Sequence, residues 1–370
     1  MDLATYTSRF HEEPGFFDFA RFGPIGEAVE GEIAAHSALH AQARFGSYDL
    51  YAHDSRMREA AAVLTGFRPD QIVFQPNTSQ GLFQAMFGLS GTVIVPTTEF
   101  PSLTFAAQRA ADSLGQLVPR WVEPDHGRLT PGSIRAALDP SITAVAISLV
   151  DYRTGFLADL EGIRQVIGDR LLIVDAAQGF GAVDVPYEVA DVIATTGGKW
   201  LRAGAGTGLL ALSDRALDRI RPLWSGSTRA HAELPPMPPE PAERGTAAMY
   251  AVGMAAAGSQ AQLAAALEEC AAVGIATLAA CIADRVSAVI DVADEFAVPV
   301  VSPRAEAERA GIVVIEPDPA QLTVLVAALH NHGVSVTIRG GRVRIAPHAT
   351  TDEEGLEILR SALLSYATAS

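Results

Sequence analysis

Lysine is nearly missing from this chain. Of 27 basic residues among 370, one is lysine, Lys199, and the other 26 are arginine. Lysine is ordinarily a common residue, so its scarcity points to a coding bias that replaces it wherever arginine serves. Arginine keeps its charge, whereas lysine can lose a proton and attack a carbonyl. The one surviving lysine is therefore a candidate for that chemistry. Two cysteines, Cys270 and Cys281, are too few for a disulfide framework and give no sign of a location outside the cytoplasm. No stretch approaches about 18 unbroken apolar residues, so no membrane span is expected; mean hydropathy is only +0.20. The opening Met1-Asp2-Leu3-Ala4 lacks the basic patch and apolar run of a signal peptide. Acidic residues dominate, giving a net charge of −16 and a pI near 4.9. That disfavours partners such as nucleic acid and anionic membrane surfaces.

What is present is an alternation of helices and short apolar strands. Apolar residues make up 49%, and at roughly 150 residues per domain the length suggests two domains, or one large domain with a smaller lobe. Ile72–Gln75, Thr92–Pro96, Ala144–Val150, Leu171–Asp175, Val192–Thr195 and Gly208–Leu212 read as strands. Several are continuously apolar, as buried parallel strands are. Helical patterns fall at Gly26–Arg44, Ser55–Thr65, Ser79–Met86, Ser102–Leu114 and Leu160–Ile167. An α/β sheet covered on both faces follows, with functional residues expected at the carboxyl ends of its strands. Five prolines between Pro235 and Pro241 interrupt the pattern as a surface loop or a lid. An alanine-rich helical stretch, Ala247–Val289, then leads into a smaller lobe. That lobe has a strand at Gly311–Ile315, a helix at Pro319–His332, a strand pair within Val334–Ile345 and a last helix from Asp352.

Lys199 follows the strand Val192–Thr195, in Thr195-Thr196-Gly197-Gly198-Lys199-Trp200, and the preceding strand ends in Asp175-Ala176-Ala177-Gln178. A lysine and a carboxylate at adjacent strand ends are the pair that holds pyridoxal phosphate. Lysine forms the Schiff base, and aspartate keeps the pyridine nitrogen protonated so that the ring remains an electron sink. Gly197 and Gly198 are read as leaving room for the cofactor near the backbone. Pro76-Asn77-Thr78-Ser79-Gln80-Gly81 opens a helix, where hydroxyls and free N–H groups can hold a phosphate, or where Thr78 or Ser79 caps the helix.

IVDAAQGFG, ADVIATTGGKW and GAGTGLLALS together resemble the core of the class V aminotransferase superfamily, the group of kynureninase, cysteine desulfurases and isopenicillin-epimerase-like enzymes. The resemblance runs from about Phe17 to Leu359. It implies a fold-type I pyridoxal-phosphate enzyme, α/β, with a large cofactor domain (26–246), a smaller α+β C-terminal lobe (247–370) and an N-terminal segment (1–25) packing on that lobe. By position, Lys199 matches the Schiff-base lysine, Asp175 the pyridinium partner and Gln178 a contact to the phenolic oxygen. Thr78, Ser79 and Thr196 match phosphate contacts, and Phe100 in Glu99-Phe100-Pro101-Ser102 matches the residue stacking on the ring. Trp224 and Arg244-Gly245-Thr246 resemble further phosphate contacts, the Gly-Thr pair coming in the family from a partner chain, which implies a homodimer with a shared site. Arg344 in Val343-Arg344-Ile345-Ala346-Pro347-His348 matches the arginine that binds the substrate α-carboxylate, a task suited to a forked guanidinium.

This chain departs from the pattern in places. Neither cysteine lies near Ile338-Arg339-Gly340-Gly341, where a desulfurase carries its loop cysteine, so that activity is disfavoured. Asp151 stands where asparagine is usual near the carboxylate, and would repel it unless protonated or paired. Gly198 replaces a residue that is often histidine. Arg21 replaces a small residue, and reads as a surface arginine or as a contact for a second acidic group. The implied activity is an aminotransferase acting on an amino acid. Alternatives are a lyase of kynureninase or C–S type, an epimerase, or a protein that keeps the fold without turnover. A nicotinamide dehydrogenase is a weak rival, because Gly204-Ala205-Gly206-Thr207-Gly208 precedes a strand instead of following one. Gly197-Gly198-Lys199-Trp200 lacks the pattern of a nucleotide phosphate loop. His36 and His40, four apart on a helix, have no evident third metal ligand and read as solvated.

Overall fold

The computed structural model describes residues 1–42, 47–125, 127–224, 226, 245–253 and 255–369. The Pro235–Pro241 run and Arg244 lie outside them. The continuously apolar segments form the middle of a seven-stranded sheet: β1 (Ile72–Phe74), β2 (Gly91–Pro96), β3 (Leu117–Val122), β4 (Ile142–Ser148), β5 (Leu171–Asp175), β6 (Val192–Thr196) and β7 (Gly208–Leu212). Their order is β1-β7-β6-β5-β4-β2-β3. The pairs β3/β2, β2/β4, β4/β5 and β5/β6 are parallel; β6/β7 and β7/β1 are antiparallel. Two successive reversals leave β1 pointing the same way as β6. The carboxyl ends of β1, β4, β5 and β6 therefore open onto one edge, where an open α/β sheet binds its ligands.

Side chains alternate between the sheet's faces. Leu172, Val174 and Ile193 join one apolar cluster; Leu171, Ile173, Val192 and Ala194 join another, with helices Thr78–Gly88 and Pro101–Leu114. Helix Leu160–Ile167 covers the first face with Leu160, Ile163 and Ile167; it starts at Asp159, which accepts from Gly162 N–H, and stops at Gly168, φ +60°.

The sheet has one strand more than the sequence pattern shows. β3 buries Leu117 and leaves Trp121 and Val118 exposed, and it tolerates Pro119 because it lies at the edge, where one side needs no partner. Helix Ser47–Thr65 begins eight residues before the expected start at Ser55. The alanine-rich stretch is not one helix: a 3₁₀ turn, Ala247–Tyr250, precedes helices Ala257–Val273 and Ile275–Glu295. The two helices meet at 83° where Gly274 takes φ +90°, a conformation open to glycine. Among the described residues no single helix is long and apolar enough to cross a membrane.

A second, three-stranded antiparallel sheet has the order β8-β10-β9, from β8 (Val313–Ile315), β9 (Thr337–Arg339) and β10 (Arg342–Ile345). Helices Leu322–Asn331 and Glu353–Ala369 pack together beside it. The N-terminal segment runs along this lobe. Phe17 N–H donates to Ser335 O at 2.9 Å, and Ala346 N–H donates to Phe17 O at 2.7 Å. The segment then crosses to the large sheet, where Gly23 N–H donates to Gly198 O at 3.0 Å.

Candidate active site

At the carboxyl edge of the large sheet the strand ends enclose a cavity of about 210 Å³. Lys199, Asp175, Gln178, Thr78, Ser79, Thr196 and Phe100 line it, as do Asn77, Ser102, Ser148 and Tyr152. Strand register explains the convergence: Ser148 ends β4 directly beside Asp175, which ends β5, and β6 delivers Thr196 and the Lys199 turn next to it.

Burial lowers the pKa of Lys199; the Asp175 carboxylate opposes that shift and the Arg344 guanidinium adds to it. Asp175 is itself buried, which raises its pKa against the Ala177 N–H (2.9 Å) and the charge of Lys199. The two groups thus restrain each other's neutralisation. Nζ of Lys199 lies 5.9 Å from the centroid of the Phe100 ring, and Tyr152 meets that ring edge-on at 5.1 Å.

Gly197 and Gly198 make room for the chain itself, not for a ligand. A Cβ on Gly197 would stand 2.6 Å from Thr207 Oγ1 and 2.9 Å from Ala203 Cβ, and one on Gly198 would stand 3.0 Å from Gly204 O. Trp200, almost fully buried, donates from Nε1 to Gln178 Oε1 at 3.0 Å, and Gln178 Nε2 donates to Ala20 O at 2.8 Å. The Lys-Trp and Asp-x-x-Gln motifs are therefore tied to one another, and Gln178 retains one Nε2 hydrogen for any further contact.

The helix that starts at Thr78 is capped by neither Thr78 nor Ser79. Asn77 is the N-cap, its side chain accepting from Gln80 N–H at 2.9 Å. The hydroxyls of Thr78 and Ser79 are released toward the cavity. Ser79 Oγ pairs with Ser102 Oγ at 2.7 Å, while Thr78 Oγ1 is buried with no hydrogen-bond partner among the described residues. A buried orphan hydroxyl at a helix start is a place where an anion fits. With Lys199 and Asp175 alongside, the residues present fit pyridoxal phosphate. Thr196 contributes less than its position suggests, because its hydroxyl donates to Thr207 O at 3.1 Å.

Other expected residues stand outside the cavity lining. Asp151 is bound by Arg153, at 2.7 Å side chain to side chain and 2.6 Å from the Arg153 N–H, so its charge is paired. It lines a smaller neighbouring pocket with Glu99 and Tyr152. Arg344 is half-way between: its charge reaches Lys199, yet its guanidinium leans on Thr337 Oγ1 (3.2 Å) and Asp18 (3.5 Å), and its Nε is buried without a hydrogen-bond partner among the described residues. Trp224 is exposed and packs on Phe83 and Phe87. Gly245 (φ +99°) borders open space, and Thr246 precedes the 3₁₀ turn without a side-chain cap bond. Arg21 is exposed.

Three features escape the sequence patterns. Ser148 and Ser102 line the cavity, and Glu99 lies half-buried behind it, gripping Ser148. Applying the strand-end rule to β4 as well as to β5 and β6 finds Ser148. His36 is buried, not solvated, with its ring 6.0 Å from His40 and 5.3 Å from His53. No group of three or more metal-ligating side chains forms a site among the described residues.

The model of the family "Aminotransferase class-V" matches residues 34–370. A cysteine desulfurase of Frankia sp. (strain EuIK1) is 29% identical over 192 residues, 46% of this chain and 45% of the relative. A kynureninase of Pseudomonas fluorescens is 26% identical over 228 residues, 56% and 53%. The chain thus spans about half the length of these curated relatives. In fold, it is similar to the apo cysteine desulfurase of Thermococcus onnurineus NA1, with TM-score 0.85, 21% identity and coverage of 96% of this chain and 95% of that one. It is similar also to the cystine C–S lyase C-DES in complex with cysteine persulfide, with TM-score 0.84, 21% identity and coverage of 95% and 97%. A family match over nine-tenths of the sequence, on a fold-type I frame whose strand ends bring Lys199 to Asp175, makes the chain a member of the class-V aminotransferase family, with a site whose residues fit pyridoxal phosphate.

Proposed function

We propose that this enzyme moves the amino group of an amino acid onto a keto acid. The observation that carries the reading is a desolvated lysine and a buried carboxylate converging in one cavity, with an orphan hydroxyl at a helix start beside them. Pyridoxal phosphate, when bound, supplies an electron sink for the carbanion left by the substrate's α-proton. Lys199 would hold it covalently, Asp175 would face its pyridine nitrogen, and Phe100 would lie against its ring. Thr78, Ser79 and the first N–H groups of helix Thr78–Gly88 would hold its phosphate.

Burial disfavours the Lys199 ammonium, so Nζ is fit to take the α-proton and return it to a second carbon on the same face. Transamination needs one such base. Arg344 would take the α-carboxylate through a forked contact, and Asp151, tied to Arg153, carries no free charge to repel it.

A lyase is the second reading, favoured by Tyr152. Its ring sits in the cavity beside Phe100, and its phenol is a proton donor for a leaving group. Sulfur transfer is less well served. Neither cysteine lines the cavity, and burial pushes the Cys270 thiol up to about 12. We also infer a homodimer, because Trp224, Gly245 and Thr246 fall outside the cavity lining of their own chain. Incubating the holoenzyme with each amino acid, with and without a keto acid, separates the activities. Transamination yields a new amino acid only when keto acid is present. Release of ammonia, alanine or a thiol without keto acid would overturn it in favour of the lyase.

A further inference from the structure

Three arginines gather beside the cavity, in a chain where acidic residues outnumber basic ones 43 to 27. Arg344 on β10 lies opposite Thr337 on β9, and Arg339 is two residues further along β9, on the same face. The Arg339 guanidinium stands 5.6 Å from the centroid of the Tyr152 ring, and Tyr152 lines the cavity. Arg21 approaches from the N-terminal segment. Its neighbour Ala20 accepts from Gln178, and Gly23 donates to Gly198, so the segment lies directly on the Lys199 turn. The charges of Arg339 and Arg21 both bear on Arg344.

Three guanidinium groups thus lie within electrostatic reach of one another beside the cavity; of these Arg344 alone has a carboxylate partner among the described residues, Asp18, which stands 3.5 Å away and is already held by Thr337 at 2.7 Å. Among the described residues Arg21 and Arg339 make no ion pair. Most other arginines among the described residues do, Arg153 beside this site included. Like charges gathered without counter-charges raise each other's energy and favour an incoming anion. One carboxylate would engage Arg344 and leave the other two unanswered.

We propose that the substrate is an amino acid whose side chain carries a second acidic group, bound by Arg21 and Arg339 while Arg344 takes the α-carboxylate. This rests on the proposed function for its amino-acid chemistry. It goes further by committing to a dianionic substrate class.

The test uses the holoenzyme and two kinds of probe. Glutarate and its half-amide, which have no amine to react, are titrated by calorimetry. Glutarate should bind about tenfold tighter, the upper yield of two exposed ion pairs, and less so as salt is added. L-Aspartate against L-asparagine, and L-glutamate against L-glutamine, are titrated by cofactor absorbance and should show a preference of the same order. In Arg21→Gln/Arg339→Gln both ratios should fall close to one. Equal binding of acid and amide, or a preference that survives in the double variant, overturns the inference. If neutral amino acids then still change the spectrum, the proposed function stands without it. If no amino acid of either kind changes the spectrum, the proposed function itself fails and takes the substrate class with it.

Discussion

Glu99 closes both of its carboxylate oxygens on Ser148, whose N–H donates to Oε1 at 2.8 Å and whose hydroxyl donates to Oε2. Ser148 lies beside Asp175 at the strand ends, and Glu99 precedes Phe100, so this contact pins the Phe100 ring over the cavity. Burial pushes the Glu99 carboxyl up to about 7, against the two hydrogen bonds and with help from the charges of Asp175 and Asp151. Its ordinary value is 4.5. Between those values the folded chain holds a proton that the unfolded chain has lost, so stability falls as pH rises through the window. A displacement of that size is worth at most about 3 kcal/mol, and less for a half-buried carboxyl. Glu99→Gln keeps the neutral shape and should lose less stability over the same range. Denaturant melts of both proteins from about pH 5 to 8 check this; a difference constant in pH would contradict it.

Asp175→Asn removes the charge facing the cofactor's ring nitrogen and leaves Lys199 without its nearest carboxylate. Breaking a buried pair costs about 3–5 kcal/mol. Cofactor retention on dialysis should drop and turnover should be lost, while the apo fold keeps its circular dichroism. Unchanged turnover would remove Asp175 from the site.

Arg344→Lys replaces a fork with a point charge. A charge-assisted hydrogen bond is worth about 1.5–3 kcal/mol, so KM for the amino acid should rise by about ten- to a hundredfold. The cofactor should stay bound. Loss of cofactor instead would mean that Arg344 supports the Lys199 turn and not the substrate.

Gly197→Ala should destabilise the fold by about 1–3 kcal/mol, because the new methyl group overpacks the turn. It would meet Thr207 Oγ1 at 2.6 Å. Thermal melting of the apo protein measures it, and a neutral effect would return Gly197 to a ligand-facing role.

Much of this arrangement is legible in the sequence, for identifiable reasons. Leu171–Asp175 is apolar throughout because it is buried on both faces, and its abrupt end in Asp175 marks a strand terminus. Lys199 stands out because the composition has removed every other lysine. Edge strand β3 escapes because half of it faces solvent and Pro119 argues against a strand. The cap goes to Asn77 and not to Thr78 or Ser79 because all three are good caps locally, and only the helix start decides between them. Gly197 and His36 are misread for a common reason: what fills the space beside each comes from elsewhere in the chain. Thr207 faces Gly197 and His53 packs on His36. The pairing of Asp151 by Arg153 is local, by contrast, and a two-residue spacing of opposite charges could have been read as such.

A shared site makes one more expectation. Lys199→Ala and Thr246→Glu are each expected to be inactive, and mixed dimers of the two should regain up to about a quarter to a half of the wild-type rate if Thr246 serves the partner's cavity. Sedimentation of the mixture establishes that hybrids form. Hybrids without activity would return Thr246 to its own chain.

The central claim is that Lys199 carries the cofactor. The direct measurement is the absorbance spectrum of the purified protein after pyridoxal phosphate is supplied, beside that of Lys199→Ala. The wild type should show a visible band that survives dialysis, shifts when amino acid is added, and is missing from Lys199→Ala. A wild type without the band, or a variant that keeps it, would remove Lys199 from the cofactor site.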